Sequence, residues 1–283
     1  METILEGTKA IVRISPHHRT VLIGERINPT GRKRLAAELA AGNIEIVKQE
    51  ALTQVDSGAD VIDVNVGAIG VDQVTMLPRA VEMVQEVVDV PISIDTADPV
   101  ALEAALKVCR GKALVNSVNG KEEILSRVLP LVARYKAAVI GLCMDEGGIP
   151  GEPQKRMDIA AKILKRAQEI GIPQEAVLID CLAMTVSADH KAGLVTLDAI
   201  RKVRTELGVN MTLGASNASF GMPDREILNA AYLALVIREG VNAPIVNAAR
   251  VRQAILAVDV LLGRDEYAQN YIKCYRDKQR EGK

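Results

Sequence analysis

Tryptophan is absent from the 283-residue sequence, phenylalanine occurs once and tyrosine five times. Single-strand nucleic-acid modules stack bases on aromatic faces, so this composition argues against them. Neither sign of charge is in excess. The 35 Lys and Arg against 36 Asp and Glu leave a formal net charge of −1, with no basic field to hold a phosphate backbone. Histidine is confined to His17, His18 and His190, and cysteine to Cys109, Cys143, Cys181 and Cys274. No cysteine pair has the spacing of a zinc knuckle or a redox motif, and isolated thiols fit a reducing cytoplasm. No stretch approaches the roughly 18 apolar residues of a membrane span. Met1–Ser15 carries Glu2 and Glu6 and lacks the apolar run of a secretory signal. The expectation is a cytoplasmic protein with neither a nucleic-acid nor a membrane partner.

What is present is a large potential core: 48% of residues are hydrophobic and 25% charged. Short apolar runs rich in Val and Ile recur at Thr20–Gly24, Val61–Val66, Pro91–Asp95, Ala113–Asn116, Ala137–Cys143, Ala176–Asp180, Asn210–Gly214 and Ala243–Asn247. Near-continuous apolar runs suit parallel strands buried on both faces.

The segments between them have helical spacing. Asp72–Val88 aligns Val74, Leu77, Val81, Val84 and Val88, and Asp98 is a candidate N-cap ahead of Pro99. Further helices are expected at Glu122–Arg134, Gln154–Ile170, Val195–Leu207 and Val251–Leu262. Another opens after Pro223 with Ile227, Leu228, Ala231 and Leu235 inward, and an extra one lies between Gly31 and Ser57. Strand starts recur about every 32 residues, one strand–helix unit each. Eight units in a row predict an α/β fold of the closed (β/α)8 TIM-barrel type, one domain over residues 1–283, with its core at about 20–262 and a charged helical tail at 263–283. An open doubly wound sheet would carry a glycine-rich phosphate turn after the first strand, and Gly24-Glu25-Arg26-Ile27-Asn28 is not one.

Barrel chemistry sits at the C-terminal ends of the strands. Those ends carry Glu25 and Asn28, Asp63 and Asn65, Asp95, Asn116 and Ser117, Asp180, Gly214 to Asn217, and Asn247. Lysine is missing from all of them, which weighs against Schiff-base chemistry, and so is histidine, which weighs against a His-based metal site. A ring of carboxylates and carboxamides suits a flat heterocycle whose ring N–H lies beside an exocyclic amine, since one Asp accepts both donors and Asn satisfies the remaining edge. Singly, each residue has a blander reading. Asp63 and Asp95 are as readily helix caps, the Asn residues turn formers, and Glu25 and Arg26 an ion pair. A carboxylate ring also holds divalent cations, so a magnesium-dependent lyase or isomerase is the chemical rival.

The stretches Leu22-Ile23-Gly24-Glu25-Arg26-Ile27-Asn28, Asp63-Val64-Asn65-Val66-Gly67, Ile94-Asp95-Thr96, Val115-Asn116-Ser117, Ile179-Asp180 and Leu213-Gly214-Ala215-Ser216-Asn217 resemble, in this order, the pterin-binding barrel of the folate-dependent corrinoid methyltransferases. The resemblance spans about residues 20–262, and dihydropteroate synthase is a more distant relative. It implies a methyltransferase of anaerobic one-carbon metabolism that moves a methyl group between tetrahydrofolate and the cobalt of a corrinoid protein. Methyltetrahydrofolate and tetrahydrofolate would be its substrates. It further implies that Asp95, Asn116 and Asp180 hydrogen-bond the pterin, that Asn217 contacts the methyl-bearing nitrogen, and that Gly214 and Ser216 shape that wall. Asp63 and Asn65 would lie close by, Glu25 and Asn28 in the first loop, and Arg225 near the glutamate tail of folate. Asn217 and Asp95 are the catalytic candidates, no metal is expected, and a homodimer is.

Three departures sharpen the reading. The corrinoid-binding signature Asp-x-His-x-x-Gly is missing, since Asp189-His190-Lys191-Ala192-Gly193 has His directly after Asp. Cobalamin is therefore expected on a separate corrinoid protein, with Met144–Pro150 as a candidate docking loop. No zinc–thiolate module is present. A basic phosphate site of the dihydropteroate synthase kind is not seen in Ala215-Ser216-Asn217-Ala218-Ser219. A non-catalytic folate-binding subunit is the third reading.

Overall fold

The computed structural model describes residues 1–281. Eight parallel strands close a barrel: β3 (Ile23–Ile27), β4 (Val61–Val64), β5 (Ile92–Asp95), β6 (Leu114–Asn119), β7 (Ala138–Leu142), β8 (Val177–Asp180), β9 (Asn210–Gly214) and β10 (Ala243–Val246), with β10 pairing back onto β3. The two preceding strands, β1 (Thr3–Glu6) and β2 (Ile11–Ile14), form an antiparallel hairpin. Around the barrel run α1 (Lys33–Ala40), α2 (Glu45–Asp56), α3 (Gln73–Val87), α4 (Pro99–Val108), α5 (Glu122–Arg134), α6 (Pro153–Glu169), α7 (Ala192–Leu207), α8 (Arg225–Glu239) and α9 (Ala248–Leu261), followed by α10 (Gln269–Glu281).

Local chemistry sets the helix ends. Asp72 and Asp98 accept from Val74 N and Val100 N, capping α3 and α4, and Pro99 occupies the first turn of α4. All four residues of β4 and of β8 are buried, as strands covered by helices outside and packed within require. Each buried Val, Leu or Ile contributes about 1.5–3 kcal/mol of transfer free energy.

The expectation of eight strand–helix units is met, and the structure corrects its detail. The first barrel strand is Ile23–Ile27 rather than Thr20–Gly24, so Glu25 and Arg26 lie within it. Two helices, α1 and α2, fill the span between Gly31 and Ser57 where one was expected. Val74, placed on the inner face of α3, is exposed. On α8 the expected face is reversed: Ile227, Leu228, Ala231 and Leu235 are exposed, and Tyr232, Leu233, Val236 and Ile237 are buried. Both sets have helical spacing, and contact with the barrel rather than periodicity decides between them.

The β1–β2 hairpin was not foreseen, and it closes one end of the barrel. Asn210 Nδ2, at the start of β9, donates to Thr3 Oγ1 at 2.9 Å and to Ile14 O at 2.8 Å, while Leu5 and Ile14 are fully buried. The approach is close enough to demand glycine. Gly111 has φ +88, and a Cβ there would meet Glu6 O at 2.2 Å. With the end near the strand starts closed by the hairpin, ligand access is left to the mouth at the strand C-termini.

Candidate active site at the barrel mouth

The parallel register sets the polar residues side by side. Asp63 pairs with Ser93 across β4 and β5, Asp95 with Asn116 across β5 and β6, and Asp180 with Thr212 across β8 and β9. In-register neighbours on parallel strands present their side chains to the same face, so these groups gather there.

Hydrogen bonds then join them. Asp63 Oδ1 accepts from Ser93 Oγ at 2.6 Å and from Asn116 Nδ2 at 3.1 Å. Asn65 Nδ2 donates to Asp95 Oδ2 at 2.9 Å, and Asn65 Oδ1 accepts from Gly67 N at 2.7 Å. Asp63 and Asp95 are thus not the caps of the following helices; Asp72 and Asp98 are. Asp180 Oδ1 accepts from Leu182 N at 2.7 Å and Oδ2 from Gly214 N at 3.3 Å. A carboxylate oxygen has two lone pairs, so both oxygens of Asp180 retain an acceptor site for a ligand.

Burial governs the protonation of these acids. Asp63 is pushed up to about 8, first by desolvation and then by the charge of Asp95, against the pull of Ser93 and Asn116. Burial also raises Asp95, opposed by Asn65. Asp180 rises to about 6 through burial, held back by its two backbone N–H donors and by the charge of Arg156. At neutral pH Asp63 therefore keeps its proton, and Asp180 is ionised with a preformed acceptor edge.

The far side of the mouth is built from β3, β9 and β10. Ser216 Oγ donates to Glu25 Oε2 at 3.1 Å, and burial raises Glu25. Glu25 and Arg26 do not pair with each other; Arg26 Nε lies 4.0 Å from Glu50. Asn217 sits exposed in a 3₁₀ turn, Ala215–Ser219, and its Nδ2 lies 3.1 Å from the point where a Cβ on Gly214 would be. Gly214 therefore leaves the amide room. Arg225 donates to Ser216 O at 2.8 Å and to Ser219 Oγ at 3.0 Å. Asn28 Oδ1 accepts from Thr30 N at 2.9 Å, which ties the turn after β3 and leaves the Nδ2 donor of Asn28 unengaged among the described residues. A cavity of about 180 Å³ adjoins Glu25 and Ser216, bordered also by Arg225, Asn229, Asn247 and Arg250. Among the described residues no group of three or more His, Cys, Asp or Glu side chains is arranged to hold a metal ion.

One residue escaped sequence reasoning. Arg156, on α6, is 2% exposed. Its Nε donates to Pro150 O at 2.7 Å, and Nη1 to Cys181 O at 2.8 Å, Leu182 O at 2.9 Å and Thr196 Oγ1 at 3.2 Å. It braces the turn in which Leu182 adopts φ 64 and donates to Asp180. Three of its four partners are backbone carbonyls, which carry no side-chain signal. The same guanidinium fastens Pro150, the end of the Met144–Pro150 loop, whose Asp145 and Gly148 exchange backbone hydrogen bonds.

A family model described as pterin binding enzyme matches residues 24–247. Methylcorrinoid:tetrahydrofolate methyltransferase of Eubacterium limosum is 28% identical over 266 residues, covering 90% of this chain and 96% of that protein. Methionine synthase of Mycobacterium leprae is 30% identical over 275 residues, which cover 93% of this chain but 22% of that protein. Among solved structures, Xanthomonas albilineans dihydropteroate synthase with 4-aminobenzoic acid superposes with TM-score 0.72 at 19% identity, covering 93% of this chain and 98% of that one. The Yersinia pestis dihydropteroate synthase with a pterine-sulfa conjugate gives 0.71 at 15%, covering 93% and 100%. At these identities the structural likeness speaks for the fold.

Two outcomes follow from this geometry. An unfolded Asp ionises near pH 3.9, whereas folded Asp63 holds its proton to about 8. Stability from this group is therefore complete below pH 4 and lost as pH climbs towards 8. Asp63→Asn, whose carbonyl accepts from Ser93 and Asn116 alike, melts higher than wild type at pH 8.5, and the gap closes towards pH 4. A gap independent of pH contradicts the assignment. Arg156→Met leaves the buried Cys181 O and the half-buried Pro150 O without this donor, while Leu182 O keeps Thr196 Oγ1, so at about 1–3 kcal/mol for each group left unpaired chemical denaturation reports a loss of about 2 kcal/mol or more. A loss below about 1 kcal/mol contradicts the bracing role.

Proposed function

Because the chain belongs to the pterin binding enzyme family, we propose that its barrel mouth takes the pterin ring of tetrahydrofolate and that the protein is a methyltransferase working with a separate corrinoid protein. The observation that carries this reading is the shared arc of Asp95, Asn116 and Asp180, with Asn217 beside it, each still holding an unused donor or acceptor. The pterin presents a ring N–H next to an amino group, two parallel donors that the ionised Asp180 accepts. Such charge-assisted bonds contribute about 1.5–3 kcal/mol each. Asn116, oriented by its bond to Asp63, meets the carbonyl side, and Asp95 meets a further ring donor. The near-full-length likeness to methylcorrinoid:tetrahydrofolate methyltransferase supports the reaction class.

The bond to be broken joins the methyl carbon to N5 of the ring, and its electron pair stays on the nitrogen. N5 must gain a proton or a strong hydrogen bond as that happens. Asn217 supplies the donor amide, and a bond stronger in the transition state than in the ground state accelerates the step. In the reverse direction the same amide orients the free N5 lone pair. The partner's corrinoid provides the cobalt that accepts or returns the methyl group. Asp63, Asn65 and Ser93 do not react; they fix Asn116 and Asp95.

The whole chain acts in this reading as one pterin-binding domain in the cytoplasm, with Met144–Pro150 facing the corrinoid protein. A second copy covers the outward apolar stripe of α8, where Ile227 is 66% and Leu235 53% exposed.

Three measurements check these statements. Asp180→Ala weakens tetrahydrofolate binding about 10–150-fold, and wild-type affinity falls as pH drops below about 6, where Asp180 protonates. Asn217→Ala changes folate affinity about twofold or less, yet slows single-turnover methyl transfer by roughly a hundredfold. Unchanged folate affinity in Asp180→Ala contradicts the binding mode. Leu235→Glu moves the sedimentation profile from dimer to monomer; an unmoved profile removes the α8 interface.

A further inference from the structure

The turn that carries Asn217 is held from both sides. Ser216, directly before it, is fixed by Glu25 through its hydroxyl and by Arg225 and Ser219 through its carbonyl. Directly after it, Phe220 N donates to Asn217 O at 3.2 Å and closes the 3₁₀ turn Ala215–Ser219. Asn217 itself is exposed. Its place is therefore set by the backbone on either side of it.

The second of these anchors comes from a different loop. Thr185, Val186 and Ser187 lie in the connection between β8 and α7. Val186 N donates to Ala218 O at 3.0 Å. Two hydroxyls converge on the next carbonyl but one, Phe220 O: Thr185 Oγ1 at 2.6 Å and Ser187 Oγ at 2.9 Å. A carbonyl oxygen has two lone pairs, and both are taken. Thr185 Oγ1 also accepts from Ser187 N at 3.3 Å, which leaves its own proton for Phe220 O. Thr185 is half-buried and Ser187 exposed. Water competes for such bonds, so each is weak alone. Three donors from consecutive residues, gripping the two carbonyls that follow Asn217, hold where one would not.

The same segment leads back to the acid that meets the pterin edge. Between Asp180 and Thr185, Leu182 N donates to Asp180 Oδ1, and Arg156 holds Cys181 O and Leu182 O. Asp180 and Asn217 thus sit on neighbouring strand ends, joined by one hydrogen-bonded path from loop to loop. The ligand makes that spacing matter. The pterin is a rigid pair of fused rings, with its amino edge on one ring and N5 on the other. A ring docked on Asp180 presents N5 at one place only, and Asn217 must already stand there.

We propose that Thr185 and Ser187 are positioning residues that, through Phe220 O, hold the Asn217 turn at the distance from Asp180 that the pterin requires. The proposal rests on the pterin reading above, and the test separates the two.

Thr185→Val, Ser187→Ala and the double variant are made in the full chain, with and without Asn217→Ala. Two quantities are measured: tetrahydrofolate affinity at equilibrium, and single-turnover methyl transfer from methyltetrahydrofolate to free cob(I)alamin. Each single variant keeps one hydroxyl on Phe220 O, so transfer is expected to slow about twofold or less. The double variant loses both and slows on the order of tenfold, since misplacing a group that meets the reacting atom costs rate. Its folate affinity stays within about twofold of wild type, because Asp180 is untouched. Thr185→Ser in place of Thr185→Val restores the rate. In the Asn217→Ala background the double variant causes no further slowing, a result that a general loosening of the fold does not give. Wild-type transfer in the double variant, with Asn217→Ala slow, overturns the clamp and leaves the pterin reading standing. Equal slowing with and without Asn217, or a loss of folate affinity at unchanged transfer rate, also overturns the clamp. Asn217→Ala transferring as fast as wild type, or no transfer by wild type, overturns both.

Discussion

Two carboxyl groups confined at the mouth of a barrel, Asp63 and Asp95, cannot both be ionised without cost, and the site is arranged around that fact. Asp63 is 2% exposed, and its burial together with the charge of Asp95 keeps a proton on it to about pH 8. Neutral Asp63 anchors the Asn116 amide and lets Asp95 act as the charged member. Asp180, two strands on from Asn116 on β8, is kept ionisable by two backbone donors instead of by a partner acid. One pair of like groups thus yields a neutral orienter and a charged acceptor from the same side-chain type.

The scaffold protects this arrangement from both directions. From below, the β1–β2 hairpin closes the strand starts through Asn210 and Thr3. From the flank, Arg156 ties Pro150, Cys181 and Leu182 into one hydrogen-bonded unit, so the loops after β7 and β8 are set by a single buried cation. A guanidinium buried among carbonyls forms charge-assisted bonds and satisfies backbone groups that would otherwise be orphaned.

Much of this was legible in the sequence, for reasons that can be stated. The eight Val/Ile runs and their spacing reflect the need to bury parallel strands on both faces, and Asp98-Pro99 marks a helix start by local chemistry alone. The polar strand ends stood out because acids and amides are otherwise rare in such runs. What stayed hidden depends on tertiary contact. The closing hairpin looks like any short alternating segment. The buried face of α8 is one of two stripes of similar spacing, and the chosen one carries Tyr232. Arg156 was invisible because it binds backbone oxygens. The bond from Thr30 N to Asn28 Oδ1 is likewise a local turn contact that the strand-end pattern does not reveal.

The measurement that bears most directly on the central claim is a crystal structure of the chain with methyltetrahydrofolate bound. The account predicts the pterin edge on Asp95, Asn116 and Asp180, and Nδ2 of Asn217 within hydrogen-bond distance of N5, with the methyl group facing out of the mouth. A pterin seated elsewhere, or bound there with N5 turned away from Asn217, contradicts it.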